Sequence, residues 1–215
     1  MSKLDASLYT ALFLGVTERL ITLDYVISKC SEKPVSELDL ETKNALRIGF
    51  YQLLYMDKIP QSAAVNESVK LSKTNKCEFA SGLINAVLRK ISQKGFTLKE
   101  DIGETEKISI TYSMPEDSVK FLIHHYGEEN AKAFLKATLE PKELFIRVNT
   151  IKTSTEELKN ELIKENVKVF DTYLPNALKI EINRAVYELE SFKKGLFHVE
   201  DLSSQLCVEA LDLFP

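Results

Sequence analysis

The hydrophobic pattern of this chain changes its period once, and that change constrains the fold more than any other feature. Up to Leu139, apolar residues recur every three or four positions, the spacing of one helix face. From Leu144 to Asn149 they alternate instead, so that Leu144, Ile146 and Val148 share one side of a strand. Because one element cannot satisfy both periods, the sequence predicts a set of helices followed by a small sheet.

The first half of the chain is predicted to be entirely helical. An apolar stripe predicts one long helix over Asp5–Ser28, and a second is expected over Glu41–Met56, ending before Pro60. Ser62 is expected to cap a third helix. A fourth helix is predicted from an apolar stripe at every fourth residue, which consists of Phe79, Leu83, Val87 and Ile91.

A stretch with little periodicity marks the predicted domain boundary. It extends from Gly95 to Lys107 and mixes glycine, threonine and charged residues. We therefore expect one domain at residues 1–103 and another at 104–215. The second is expected to open with a helical hairpin, since Ser113 and Glu116 have the S-x-x-E spacing of a capping box.

After the hairpin the predicted elements follow the order β-α-β-β-α-β. This order is typical of a ferredoxin-like or RNA-recognition-type sheet packed against two helices. A second capping-box pattern, Ser154 with Glu157, opens the first helix of this set. The predicted fold class is α+β and multidomain: an all-α helical bundle, a helical hairpin and a small ferredoxin-like domain. The later elements are expected at Val167–Phe170, Leu178–Ile182, Leu196–Val199 (strands), Val186–Phe192 and Leu202–Leu213 (helices).

Composition indicates an ordinary globular protein. Of the 215 residues, 44% are apolar and 28% charged, and no run approaches the ~20 apolar residues of a membrane span. Asp5 interrupts the apolar start, which does not resemble a signal peptide, so a cytoplasmic location is expected. Cys30, Cys77 and Cys207 lie too far apart for a disulfide framework or a zinc site, and we expect buried, unreactive thiols.

The segment Leu46–Ile91 carries the most specific motif of the chain. Its order of residues closely resembles the NusB family of RNA-binding helical domains. That resemblance implies a module that holds RNA or protein partners and carries no enzyme chemistry. It rests on Leu46, Arg47, Gly49, Tyr51 and Leu54 in one helix, Ile59 and Pro60 at a break, Ala64, Val65, Asn66, Glu67 and Val69 in the next helix, then Phe79, Asn85, Val87 and Leu88.

Three later blocks extend the resemblance: Tyr112–Ala137, Leu144–Leu158 and Gly195–Leu206. With the first segment they look like bacterial ribosomal RNA cytosine-5 methyltransferases of the RsmB/Sun type. In that family a NusB-like domain and an RNA-binding subdomain precede the part that binds S-adenosylmethionine and carries two catalytic cysteines. The resemblance implies that this chain is the N-terminal, substrate-recognition part of a 16S rRNA (cytosine-5) methyltransferase, with small-subunit ribosomal RNA as partner.

The chain itself is not expected to be an enzyme. S-adenosylmethionine is expected for the full-length protein only, because the seven glycines never come close enough to form a nucleotide-binding loop. No catalytic cysteine is expected, since none of the three follows a proline as the catalytic cysteines of the family do. No metal site is expected either: His124 and His125 are neighbours on one helix, so their side chains diverge.

Charge restricts where RNA can bind. The net charge is −4; residues 1–103 hold 14 basic and 12 acidic side chains, and the remainder 14 and 20. Any phosphate contact must therefore be local. Two helical stripes are candidates, with an ordinary solvated face as the alternative for both: Lys70, Lys73 and Lys76, and Arg89, Lys90 and Lys94.

Arg147, Asn149 and Lys152 are the leading RNA-facing residues in the second half, because they match the R-V-N-x-x-K block of the family. Phe145 shares a strand face with Arg147, so stacking on a base and pairing with phosphate is one interpretation. The other is a buried Phe145 with Arg147 bridging to a neighbouring element.

Two asparagines interrupt apolar helical patterns, Asn66 and Asn85. An unpaired buried amide costs roughly 1–3 kcal/mol, so each is expected to have a specific partner if buried. A hydrogen bond between helices is the favoured interpretation, and an RNA contact is the alternative.

Two other functions remain open. One is a stand-alone NusB-like transcription antitermination or adaptor protein, which the Tyr112–Leu206 extension disfavours. The other is an interaction module without RNA affinity, with which the acidic second half is consistent.

Overall fold

The change of hydrophobic period coincides with a division of the molecule into two compact units. The first unit ends at Glu140 and the second begins at Pro141. The predicted boundary at residue 103 does not coincide with this division, because the helices between residues 104 and 138 belong to the first unit, where the first of them packs against a helix that precedes residue 103. The computed structural model describes residues 3–31, 33–74, 77–98 and 101–211, without the side chains of residues 3, 4 and 94.

The described part of the first unit contains α-helices and two short 3-10 turns. Asp39 starts the third helix, because its carboxylate accepts a hydrogen bond from the Thr42 backbone N–H at 2.9 Å. The 3-10 turns are Val35–Glu37 and Glu78–Ala80. The helices are α1 (Lys3–Glu18), α2 (Leu20–Ser31), α3 (Leu40–Tyr55), α4 (Gln61–Thr74), α5 (Ser81–Lys94), α6 (Glu104–Tyr112), α7 (Glu116–Tyr126) and α8 (Glu128–Thr138).

The long helix predicted over Asp5–Ser28 is broken at Arg19 into α1 and α2, so that prediction is wrong. Hydrogen bonds from α2 to the last turn of α6 compensate for the break. The backbone N–H of Ile21 donates to the Ser113 hydroxyl at 3.0 Å, and the Thr22 hydroxyl donates to the Ile110 carbonyl. Apolar periodicity did not reveal these partners, since α6 itself was not predicted.

Two predicted helix caps are also wrong. Ser113 has a φ of 55° and ends α6, while α7 begins after Pro115 without a side-chain cap. The Ser113 hydroxyl is therefore used by α2 and not by a capping box. Ser62 was predicted to cap the third helix, but it lies inside α4. The backbone N–H groups of Ala63 and Ala64, in the first turn of α4, donate to the Pro60 carbonyl.

The core of the first unit lies among α2, α3, α4 and α5. Its largest fully buried side chains are apolar, and each stabilises the fold by roughly 1.5–3 kcal/mol. Gly49 allows close packing here, because a Cβ atom would lie 2.6 Å from Leu88 Cδ1 and 2.8 Å from Ser68 Oγ. A smaller cluster joins α6, α7 and α8. The large buried residues are Leu23, Ile27, Leu46, Phe50, Ile84 and Leu88.

The second unit is a four-stranded antiparallel sheet with helices on its apolar face. The strand order is β2-β3-β1-β4, the arrangement expected for a ferredoxin-like β-α-β-β-α-β domain. This confirms the predicted fold class. The elements are β1 (Leu144–Val148), α9 (Thr155–Lys164), β2 (Lys168–Asp171), β3 (Ala177–Glu181), α10 (Glu190–Lys193), β4 (Phe197–Val199) and α11 (Leu202–Ala210).

The two faces of β1 differ as the alternation predicted. Ile146 and Val148 are buried with Leu158 and Leu162 of α9 in the core of the unit. Arg147 lies on the other face, opposite His198 of β4 in the strand register. The predicted capping box of α9 is confirmed: the Ser154 hydroxyl accepts from the Glu157 N–H, and Glu157 accepts from the Ser154 N–H.

Candidate nucleic-acid interface

A groove runs between α4 and α5 on the surface of the first unit. It consists of two adjoining concavities, of about 800 Å³ and about 350 Å³, that share Ser62 and Asn66. Most side chains that line it are amides, hydroxyls or charged groups. Pro60, Ala63 and Val69 add apolar surface to the larger concavity, so the groove suits a ligand with both polar and apolar faces.

Helical spacing explains why these polar groups converge. In α4, Ala64 and Ser68 are buried, which leaves Asn66, Lys70 and Lys73 on the opposite, solvent side. In α5 the apolar residues Ile84, Leu88 and Ile91 enter the core. The other face of α5, which lines the groove, carries Gly82, Asn85 and Arg89.

The two asparagines line this groove and do not join the helices. Asn66 is exposed, and its amide has no hydrogen-bond partner within the described ranges. Asn85 is half-buried, and its carbonyl oxygen accepts from Arg89 Nε at 2.9 Å in the same helix. The favoured prediction of interhelical hydrogen bonds is therefore wrong, because Asn66 is exposed and the partner of Asn85 lies in its own helix.

The structure separates the predicted cations of α5. Arg89 is exposed and lines the smaller concavity of the groove. Lys90 is exposed on another side of the helix, within electrostatic range of Cys30 in α2, whose thiol pKa is raised by burial against a smaller opposing effect of the Lys90 ammonium. The Lys94 side chain lies outside the described residues. Of the two described side chains, Arg89 thus lines the groove and Lys90 does not.

The other predicted stripe supplies cations on the α4 wall. Lys70 and Lys73 both line the larger concavity, whereas Lys76 lies outside the described residues. Lys70 Nζ is 2.7 Å from a Glu67 oxygen, but both side chains are mostly exposed. A surface pair of this kind contributes only about 0–1 kcal/mol. A phosphate can therefore replace Glu67 as the partner of Lys70.

In the second unit, Asn149 and Lys152 fasten the turn after β1 to the turn after α10. Asn149 Nδ2 donates to the Gly195 carbonyl at 2.9 Å, and its Oδ1 accepts from the Ile151 N–H. Lys152 Nζ donates to the Lys194 carbonyl at 2.9 Å. Both predicted RNA-facing side chains thus make hydrogen bonds within the unit.

Arg147 bridges to the end of β4. Its guanidinium lies 3.6 Å from Glu200, and His198 Nε2 lies 2.9 Å from the same carboxylate. Phe145, on the same face, is half-buried. The second interpretation from the sequence, a buried Phe145 with Arg147 bridging to a neighbouring element, is met for Arg147, whereas Phe145 is only half-buried. The role of Arg147, Asn149 and Lys152 toward RNA stays a prediction.

The cysteines differ in their surroundings. Burial raises the pKa of the Cys30 and Cys77 thiols, so both stay protonated at neutral pH and are poor nucleophiles. Cys207 is exposed on α11, and the prediction that it is buried is wrong. The apolar neighbours that suggested burial, Leu206 and Val208, are exposed as well.

The described ranges carry neither a cluster of metal ligands nor a helix that could span a membrane. Nowhere in them do three or more His, Cys, Asp or Glu side chains cluster in a way that holds a metal ion. None of the helices described has the length and apolarity needed to cross a bilayer.

The architecture of the chain is a helical unit followed by a ferredoxin-like sheet, and both parts match known families. Residues 1–93 match the family model described as NusB family, and residues 114–187 match the model described as Methyltr_RsmF/B-like, ferredoxin-like domain. The chain therefore carries a NusB-family domain followed by an RsmF/B-like ferredoxin-like domain. Both matches confirm the resemblance seen in the sequence.

Over its whole length the chain is similar to ribosomal RNA small subunit methyltransferases B. The relative from Synechocystis sp., named a probable enzyme of this kind, is 29% identical, with 100% of this chain and 49% of the relative covered. The Bacillus subtilis relative, also named a probable enzyme of this kind, is 29% identical, with 99% of this chain and 47% of the relative covered. The Proteus mirabilis relative is 29% identical, with 98% of this chain and 49% of the relative covered. The chain thus spans about half the length of the curated relatives it matches.

A solved structure has the same fold. The crystal structure of PH0851 superposes with a TM-score of 0.74 at 21% identity, covering 100% of this chain and 48% of its own. At that identity the match supports the fold alone.

Proposed function

We propose that this chain is the RNA-binding, substrate-recognition part of an S-adenosylmethionine-dependent 16S rRNA (cytosine-5) methyltransferase. The observation that carries the proposal is the similarity along the whole chain to about half of proteins named ribosomal RNA small subunit methyltransferase B. The pairing of a NusB-family domain with an RsmF/B-like domain supports it. The partner would be small-subunit ribosomal RNA in the cytoplasm.

In this proposal the chain holds RNA and does not transfer the methyl group. The seven glycines are too widely spaced to cradle a nucleotide cofactor, and two of the three thiols are buried and protonated. Because none of the three cysteines, including the exposed Cys207, follows a proline as the catalytic cysteines of the family do, the cysteine that attacks cytosine is assigned, with S-adenosylmethionine, to a portion of the full-length protein outside these 215 residues. The residues that contact RNA in this chain would be Arg89, Lys90, Lys94, Arg147, Asn149 and Lys152. The other residues that line the groove between α4 and α5 would add further contacts.

The stand-alone adaptor is the weaker alternative. An adaptor of NusB type needs none of the strands that form the second unit, and here those strands form a complete ferredoxin-like sheet. No observation specifically favours the adaptor.

Methyl transfer and RNA binding test the proposal together. The full-length protein is incubated with S-adenosylmethionine and unmethylated 16S rRNA, and modified cytosine is detected by bisulfite sequencing. The 215-residue chain is assayed in parallel, and its affinity for 16S rRNA is compared with that of an unrelated acidic protein. We expect methylation by the full-length protein only and rRNA binding by both. Methylation by the 215-residue chain alone, or rRNA binding no better than that of the acidic control, would contradict the proposal.

A further inference from the structure

We propose that the groove between α4 and α5 binds one nucleotide of a single-stranded RNA segment, with the base between Asn66 and Asn85 and the phosphate at the lysine rim. This inference rests on the proposed function, since it names the part of the chain that holds RNA and the form of RNA that fits there. Four features of the groove support it: its size, its amides, its cations and the exposed aromatic at its end.

The size of the groove suits a single nucleotide. Sites for small ligands commonly measure roughly 300–1,000 Å³, and the larger concavity measures about 800 Å³. In an RNA duplex the bases are stacked inside, and a wide, shallow minor groove faces the protein. A concave site cannot receive a base from such a surface. An unstacked base of a loop or bulge can enter it.

Two amides face the groove from opposite walls. Asn66 is exposed without a partner in the described ranges, so both its donor and its acceptor are free for a ligand. The Asn85 carbonyl is already occupied by Arg89 Nε. Its NH₂ group donates to no partner in the described ranges, so it is left as a donor for a ligand. Together the amides match a base edge that has an acceptor beside a donor.

The rims supply positive charge for a phosphate. Lys70 and Lys73 lie on the α4 side and Arg89 lies on the α5 side. Gly82 lies in the first turn of α5, directly after Ser81, whose own backbone N–H donates to the Glu78 carbonyl. At Gly82 no heavy atom lies within 4 Å of the position of a Cβ atom. A sugar-phosphate backbone can therefore approach this turn closely.

An exposed aromatic lies immediately before the groove. Phe79 is 78% exposed and is followed after one residue by Ser81, which lines the larger concavity. The helical stripe in the sequence had placed Phe79 in the core. A phenylalanine ring left in water offers a platform on which a base adjacent to the bound nucleotide can stack, as in sequence-tolerant binders of single strands.

Binding of labelled RNA by the 215-residue chain tests the inference. The probe is a single-stranded RNA of about ten nucleotides, followed by fluorescence anisotropy, and the comparison probes are its duplex and an abasic version. Asn66→Ala and Phe79→Ala are each expected to weaken single-strand binding about tenfold, and Gly82→Glu by more than about tenfold. All three positions are exposed, so thermal unfolding should remain near that of the wild type.

Matched variants separate a groove effect from a general one. Asn160→Ala removes an exposed amide of α9 and should leave the affinity unchanged. Gly82→Ala adds only a methyl group where there is open space, and should bind nearly as the wild type does. The abasic RNA should bind the wild type about tenfold more weakly, and Asn66→Ala should add little to that loss, because both changes remove the same contact.

The outcomes distinguish this inference from the proposed function. If the wild type binds the single strand and all three groove variants bind equally well, the groove inference fails and RNA recognition by the chain stands. Equal affinity for the duplex also overturns it. So does displacement of the RNA by an acidic polyglutamate peptide, if the groove variants weaken the binding of that peptide as well. If the wild type binds none of the RNA probes at low salt, the proposed function of this chain fails as well.

Discussion

Arg47 connects two helices of the first unit through a bidentate ion pair. Its Nε and Nη2 atoms donate to the two carboxylate oxygens of Asp24, each at 2.7 Å. The Arg47 side chain is largely buried, at 14% exposure. Hydrogen bonds to charged groups in such surroundings contribute more than those at the surface. Arg47 belongs to the NusB-like motif, and this contact gives it a structural role in joining α2 and α3.

Removing either partner should therefore destabilise the first unit. We expect Asp24→Ala to lower the free energy of unfolding by about 2 kcal/mol, because the Arg47 guanidinium loses both acceptors. Urea unfolding followed by circular dichroism measures the change. Arg47→Ala should cost a similar amount, and the double variant should cost much less than the sum. Additive effects of the two substitutions would contradict a direct coupling.

Two helical glycines should respond in opposite ways to the same substitution. Gly49→Ala should destabilise the protein by about 1–3 kcal/mol, because the new methyl group would overlap with Leu88 and Ser68. Gly82→Ala should be neutral or stabilising by up to about 1 kcal/mol, since alanine favours the helix and space is open there. Thermal melts of both variants measure the difference. Equal shifts would show that close packing at Gly49 is unimportant.

At the scale of elements, the capping box of α9 has a defined response to pH. Hydrogen bonds from the Ser154 backbone N–H, the Ser154 hydroxyl and the Thr153 hydroxyl lower the pKa of the Glu157 carboxyl below its usual value. A lowered pKa in the folded state means that the ionised carboxylate stabilises folding. That stabilisation is complete above the unfolded value of about 4.3 and is lost as the pH falls through the folded pKa.

We expect Glu157→Gln to lower the melting temperature at pH 7 but to differ less from the wild type as the pH falls below about 4. Circular dichroism melts across this pH range measure the effect. Ser154→Ala should cost about 1 kcal/mol through loss of the cap, and should reduce the effect of Glu157→Gln in the double variant. A constant difference between wild type and Glu157→Gln at every pH would refute the assignment.

Elements with strong local signals were predicted best. β1, α9 and their capping box follow the sequence closely, because alternation and the S-x-x-E spacing act within a few residues. α6 was missed and the break at Arg19 was not foreseen, since both depend on hydrogen bonds between α2 and α6 that are distant in sequence. Periodicity carries no information about such partners.

At the scale of the whole molecule, the two units have separate cores. The buried residues of α2 to α5 form one cluster, and those of β1, β3 and α9 form another. The unfolding of this chain is therefore expected to depend on two cores and not on one.

Leu162→Ala should destabilise the second unit by about 2–5 kcal/mol, because it opens a cavity in a fully buried site. Amide hydrogen exchange followed by mass spectrometry should become faster within residues 141–211 and stay unchanged in α3 to α5. Phe50→Ala should give the reverse pattern. Faster exchange throughout the chain in both variants would mean that the cores unfold as one.

The sequence by itself determined the class of the fold and the family of both domains, because helical and alternating periods and ordered motifs are local properties of the chain. It also indicated that any RNA contact must be local, since the net charge is negative. Only the tertiary structure decided which polar residues meet. Asn66 and Arg89 face one groove because α4 and α5 pack side by side, Lys90 faces elsewhere, and Phe79 is left in solvent. The physical reason is that a site formed by two helices depends on how their faces are turned by the core, and that packing is not encoded in either helix alone.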